Sequence, residues 1–282
     1  MRMEEDDLEQ IARKICTKRQ LRFLQRVGEG AFKQTFQVVG PAAVPLALKV
    51  YKSAGSNKRD HREINAMLRC QHRNIAQIIS VETYSYQGRK YTAITEEFLS
   101  GGTLTQKGQI SAAQCLEIGI QLIEGLAHIA GLNLVHRDIK PDNIMFRSDA
   151  STPVITDFGL VRDLSDSSMT PTWASRGPGT PFFAAPEQLN NEKDMIDWRT
   201  DQFSLGVTLS YVTLGDHPYR SAGISDREVV DRVSSRDEVC SWFIQRASSL
   251  GLGSLSRMLA PWSVDRYRKP ELLQNAWRQQ KG

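Results

Sequence analysis

The strictest demand in this sequence comes from "LVHRDIKPDNIMF" at residues 134–146, followed closely by "VITDFGL" at 154–160. Together they hold two carboxylates, Asp138 and Asp157, a carboxamide, Asn143, and a cation, Lys140. Phosphoryl transfer asks for such a set. An acceptor hydroxyl must be oriented and must lose its proton, and the phosphate charges need a divalent metal held against them. Hard cations take oxygen ligands, so a carboxylate plus a carboxamide oxygen make a suitable minimal pair. In that chemistry Asp138 can accept the proton. Lys140, two residues on, can reach the moving phosphate as a point charge, and Asn143 and Asp157 can hold metal. Gly159 permits a sharp turn that aims Asp157.

The chain around these segments changes texture near residue 100. Apolar positions Leu8, Ile11, Ala12 and Ile15 have helical spacing and predict a short amphipathic leader helix. "LRFLQRV", "TFQVV" and "LALKVY" then read as strands, and "IISVETYSY", "QGRK" and "YTAITEEFL" as a hairpin. Between them "RDHREINAMLRC" reads as one helix. Beyond residue 100 the pattern is helical. Ser111 with Gln114 is a capping-box pair ahead of a helix buried on most sides, and residues 201–215 read as a second buried helix opening at Asp201. One further stretch, "VGEGAFKQTF" at 27–36, has Gly28 and Gly30 of a phosphate-cradling loop but Lys33 where a third glycine is expected. Alone, that pair of glycines is weak.

H-R-D-x-x-x-x-N followed by D-F-G resembles the protein-kinase signature. The likeness is long and ordered, and covers roughly residues 21–276. Ala47-Leu48-Lys49 resembles the strand-lysine motif, and Glu63 sits where the family has the helix glutamate that pairs with that lysine. "GTPFFAAPE" at 179–187 resembles the end of an activation segment. Asp201 sits where the family's buried helix begins, and Arg266 where an arginine pairs with the glutamate of A-P-E, here Glu187. His136 is largely structural in that family and receives no acid–base duty.

The resemblance implies an α+β, two-lobed fold with ATP in the cleft. The N-lobe would be a small antiparallel sheet with one helix over 21–99, and the C-lobe mainly helical over 100–282. Residues 1–20 would form a leader helix ahead of the kinase domain at 21–282. By position, Asp138, Lys140, Asn143, Lys49 and Glu63 carry catalysis. Val27, Gly28, Glu29, Gly30, Ala47, Lys49, Glu97, Leu99, Met145 and Asp157 bind the nucleotide, and Asn143 and Asp157 the metal, Mg2+ or Mn2+. Val27, Ala47 and Met145 would pack the adenine faces, and the backbone of Glu97–Leu99 would meet its edge. The D-x-K-P-x-N form and Thr180 resemble the serine/threonine branch, and the A-P-E-Q form resembles bacterial or phage relatives. Arg137 before Asp138 resembles kinases controlled by activation-segment phosphorylation, with autophosphorylation at Thr170 or Thr172 and self-association in trans. Protein substrates with Ser/Thr acceptors would be the partners.

Thr35 and Lys33 depart from the pattern, and the gatekeeper position falls on Glu96 by simple register or on Thr95 after a slip of one. Two rival readings stand. One is a pseudokinase acting as a nucleotide-binding or scaffold module, and the other a phosphotransferase acting on a small molecule. Composition narrows the rest. A net charge of +4 spread along the chain argues against a nucleic-acid footprint. Four scattered cysteines without a C-x-x-C pair read as reduced thiols of a cytoplasmic protein. The charged N-terminus is no signal peptide, and no uncharged apolar run is long enough to span a bilayer.

Overall fold

The leader helix α1 (Leu8–Arg19) shows how the first half of the chain is held together. Leu8, Ile11, Ala12, Ile15 and Cys16 line one side and are all buried. Glu9 and Arg13, one turn apart, pair on the other side at 2.7 Å. Lys18 and Arg19 close the last turn, where cations suit the helix dipole. This is a computed structural model that describes residues 8–30, 33–51, 68–157, 162–163 and 181–280.

The apolar side of α1 lies on a five-stranded antiparallel sheet. Its strands are β1 (Arg22–Glu29), β2 (Lys33–Val39), β3 (Pro45–Tyr51), β4 (Ile78–Tyr86) and β5 (Arg89–Glu97), in the order β1-β2-β3-β5-β4. Strand residues alternate between the two faces. Phe36, Val38, Leu46, Leu48, Val50, Tyr91 and Ala93 therefore share one face and form a single core with α1. Register assigns the other face. Thr35 pairs with Lys49, Gln37 and Glu96 both flank Ala47, and Ile94 pairs with Lys49. The expected strands and hairpin are thus present. The helix expected over 59–70 lies outside the described residues up to 67; Leu68 and Arg69 are helical and Cys70 is not.

Contacts divide the chain into two compact units, residues 1–71 with 76–99 and residues 72–75 with 100–282. The second unit is helical at its centre. Helix α2 (Ala112–Gly131) starts in the expected capping box: Gln114 N–H donates to Ser111 Oγ at 3.2 Å, and Ser111 N–H to Gln114 Oε1 at 2.9 Å. Gly119 lets Trp277 of α4 (Pro270–Gln279) lie against α2, since a Cβ there would stand 2.3 Å from the indole. Between them in sequence, α3 (Trp198–Leu214) is buried along nearly its whole length. Asp197, not Asp201, caps α3, accepting the Arg199 N–H at 2.8 Å, so the helix begins three residues before the expected start and Asp201 falls in its first turn. Arg266 and Glu187, 0% and 1% exposed, pair at 2.7 Å as the resemblance implies. Arg266 also donates to the carbonyls of Ala260, Arg199 and Pro261, so this buried cation has its N–H groups matched.

His217 is buried in the same unit. Its Nε2–H donates to the Phe182 carbonyl at 3.0 Å, and its Nδ1 accepts the Tyr219 N–H at 3.2 Å. Only the neutral ring satisfies both bonds. Burial pushes its pKa down to about 4. The folded state therefore binds fewer protons than the unfolded one between about pH 4 and the usual imidazole range near 6.5, so this group's contribution is complete above that range and is lost as pH falls through 4. Thermal melts of the native chain and His217→Gln from pH 7.5 to 4.5 are expected to converge as the pH falls, because only the native chain carries this penalty.

Candidate active site

The loop from β6 (Leu134–Val135) to β7 (Ile144–Phe146) is fixed by buried polar bonds before any catalytic side chain is placed. Asp201 Oδ2 accepts the His136 N–H at 2.7 Å and Oδ1 the Arg137 N–H at 2.8 Å. Arg137 takes a left-handed conformation, φ 70°, and its carbonyl accepts from Gln188 Nε2 at 3.0 Å. Burial pushes the Asp201 carboxyl up to about 7, opposed by those same two N–H groups. His136 is fully buried. Its Nε2–H donates to the Thr156 carbonyl at 2.9 Å, and its Nδ1 accepts the Asp138 N–H at 3.3 Å. Burial holds this imidazole below its ordinary range, and both nitrogens are committed, so it serves as a brace rather than a proton carrier.

Three of the expected catalytic side chains meet at the end of this loop. Lys140 Nζ lies 3.2 and 3.1 Å from the two carboxylate oxygens of Asp138. Asn143 Nδ2 donates to the Asp138 carbonyl and to its Oδ2, both at 2.8 Å. Two acceptors on one side fix the orientation of the carboxamide, because only its NH2 can face them. Its oxygen is then turned to other work. A short 3-10 turn, Pro141–Asn143, sets this spacing. Strand β8 (Pro153–Ile155) pairs with β7, and Thr156 N–H donates to the Asn143 carbonyl at 2.8 Å. Asp157 follows directly and is left-handed, φ 68°. Among the described residues the sharp turn here is thus made by Asp157 itself, a residue type that tolerates it. Gly159, to which the turn was ascribed, lies outside the described residues.

The metal-ligand set fits a hard divalent cation in kind. Asn143 offers a carboxamide oxygen because its nitrogen is taken by Asp138, and Asp157 offers a carboxylate one residue from that network.

The first unit holds most of the residues expected to meet the nucleotide. Val27, Gly28 and Glu29 end β1, and Gly30 N–H donates to the Lys33 carbonyl at 2.9 Å. Lys33 is the first residue of β2, with its ammonium 5.8 Å from the Tyr51 ring. A Cβ would meet only ordinary contacts, 3.6 Å from Thr35 at Gly28 and 3.8 Å from the Lys33 carbonyl at Gly30. Among the described residues nothing forces glycine at either place. Glu29 is held by Arg26 at 3.0 Å and Gln34 at 3.1 Å. Ala47 and Leu99 are buried, Val27 is exposed, and Met145, on β7 in the other unit, is half-buried. Glu97 accepts the Gln77 N–H at 2.9 Å.

Lys49 is 6% exposed and lies 2.6 Å from the Glu96 carboxylate, itself 4% exposed. Thr95 points to the α1 face, where its hydroxyl accepts from Arg19 at 2.7 Å. Register thus resolves the two gatekeeper candidates: Glu96 shares the face of Ala47 and Lys49. Glu63, the expected partner of Lys49, lies outside the described residues, as do Thr170, Thr172 and Thr180. The Lys49–Glu96 pair is the contact sequence reasoning missed. The strand spacing held the signal, since both side chains project from one face of adjacent antiparallel strands.

A family model described as "Protein kinase domain" matches residues 21–277. The "Probable serine/threonine-protein kinase PkwA" of Thermomonospora curvata is 30% identical over 218 residues, 76% of this chain and 28% of that protein. "Serine/threonine-protein kinase C" of Synechocystis is 29% identical over 215 residues, 70% of this chain and 39% of that protein. The smooth-muscle myosin light chain kinase of Gallus gallus is 28% identical over 220 residues, 75% of this chain and 11% of that protein. The chain thus spans well under half the length of these relatives.

His136→Leu is expected to leave the Thr156 carbonyl and the Asp138 N–H unsatisfied in a buried place, at a cost of about 1–3 kcal/mol for each group. Urea denaturation of the two proteins measures this, and an unchanged midpoint would remove the brace from the account.

Proposed function

The chain belongs to the protein kinase domain family, and from that premise we propose that it transfers the γ-phosphate of ATP to serine and threonine hydroxyls of proteins. The observation that carries the reading is the Asp138 carboxylate, buried and held by Lys140 at 3.1 Å and Asn143 at 2.8 Å. The acceptor hydroxyl gives its proton to Asp138 as its oxygen bonds to the γ-phosphorus. The bond from that phosphorus to the bridging oxygen breaks, and ADP leaves with the electron pair. Lys140, already beside Asp138, offsets charge on the moving phosphoryl group. Asn143 and Asp157 would hold Mg2+ or Mn2+, whose charge, when bound, offsets that of the phosphates.

Lys49 meets the α- and β-phosphates in this reading, with Glu63 on the inserted helix as its family-implied partner. Gly28 and Gly30 let the backbone approach the phosphates closely. Among the described residues a Cβ at either would meet only ordinary contacts, which supports this, since the ligand is then what a side chain would obstruct. Val27, Ala47 and Met145 pack the adenine, the backbone of Glu97–Leu99 meets its edge, and Glu29 stays at the loop. Autophosphorylation at Thr170 or Thr172, by self-association in trans, orders the activation segment. Four free cysteines support a reducing, cytoplasmic setting, and among the described residues no helix is long and apolar enough to cross a membrane. The pseudokinase alternative is disfavoured, because Lys49, Asp138, Asn143 and Asp157 are all present.

Incubation with labelled ATP, Mg2+ and a generic protein substrate tests the reading. Label is expected on protein, and Asp138→Ala, still folded by thermal melt, is expected to reduce transfer by about 100-fold or more. No label and no ATP consumption by the intact chain would overturn it.

A further inference from the structure

The sheet contains its own anchor for the nucleotide lysine. Lys49 on β3 and Glu96 on β5 project from one face of neighbouring strands, and Glu96 pairs in register with Ala47, two residues from Lys49. Their charges meet at 2.6 Å, and the side chains are 7% and 5% exposed. Continuous backbone pairing from Leu46↔Glu97 to Val50↔Ala93 fixes both Cα positions. Behind the pair, on the opposite face, Arg19 of α1 binds Thr95 at 2.7 Å and Glu82 of β4 at 3.5 Å. The strand that carries Glu96 is therefore tied to its neighbours and to α1. An ammonium has three N–H donors, so a carboxylate that takes one fixes its direction and leaves the others for phosphate oxygens.

We propose that Glu96 is a positioning residue for Lys49, so that the sheet itself aims the lysine at the nucleotide phosphates. The inference rests on the kinase reading above and deepens it. A lysine aimed from the adjacent strand of the same sheet stays in place as long as the sheet is paired. Because the partner it orients is a cation, the pair is matched to the anionic phosphates more than to the neutral base.

Calorimetric titration of the intact chain with Mg·ATP, and separately with adenosine, tests this. Glu96→Gln keeps the shape of the side chain and removes its charge. It is expected to weaken ATP about tenfold or more and to leave adenosine within about twofold. Glu96→Asp is expected to recover part of the loss. In turnover assays the Glu96→Gln effect falls on KM for ATP more than on kcat. Loss of adenosine and ATP binding together would mark Glu96 as merely structural and overturn the proposal. So would tighter ATP binding or higher activity in Glu96→Gln, which would mean that Glu96 withholds the lysine. A wild-type chain that binds no ATP would sink the kinase reading itself, an outcome distinct from all of these.

Discussion

The Asp201 carboxylate is the group on which the loop carrying Asp138, Lys140 and Asn143 depends. It sits in the first turn of α3, buried, and spends both oxygens on the backbone N–H groups of His136 and Arg137. Arg137 is left-handed there, a conformation that costs about 1–2 kcal/mol for a residue with a Cβ. Hydrogen bonds to a charged group contribute about 1.5–3 kcal/mol each, so the two together outweigh that strain. With the backbone pinned, His136 faces Thr156 and Asp138, and Asn143 faces Asp138. Each later contact uses a position that the earlier one fixed, so the arrangement is set before a substrate arrives.

The first unit reaches the same end through a sheet. There α1 covers the apolar face, and the strands carry the Lys49–Glu96 pair on the other. Both solutions place a charged side chain by way of groups that do no chemistry themselves. They differ in what could disturb them. The loop depends on one buried carboxylate, whereas the Lys49–Glu96 pair depends on strand register, which is distributed over many backbone bonds.

Much of this was legible in the sequence. Leu8, Ile11, Ala12 and Ile15 announced α1, the apolar runs announced β1 to β5, and Ser111 with Gln114 announced the start of α2. The set Asp138, Lys140 and Asn143 was legible because its three members lie within six residues, so local chain geometry alone brings them together. The contact of Lys49 with Glu96 was not. It depends on which residues of β3 and β5 face each other, and the one-residue difference between Thr95 and Glu96 reverses the face. The start of α3 was misread because Asp197 and Asp201 are both acidic and one turn apart. Only the structure shows that the first caps the helix while the second reaches back to the loop. The left-handed turns at Arg137 and Asp157 carry no glycine to mark them.

Hydrogen exchange at individual amides tests the central claim, that Asp201 holds the catalytic loop. In the native chain the N–H groups of His136 and Arg137 are predicted to exchange slowly, like the buried helix amides of α3. In Asp201→Asn, whose carboxamide can accept one N–H but must present its own donor to the other, both amides are predicted to exchange at least about tenfold faster while α2 stays protected. Equal protection of His136 and Arg137 in the two proteins would contradict the account.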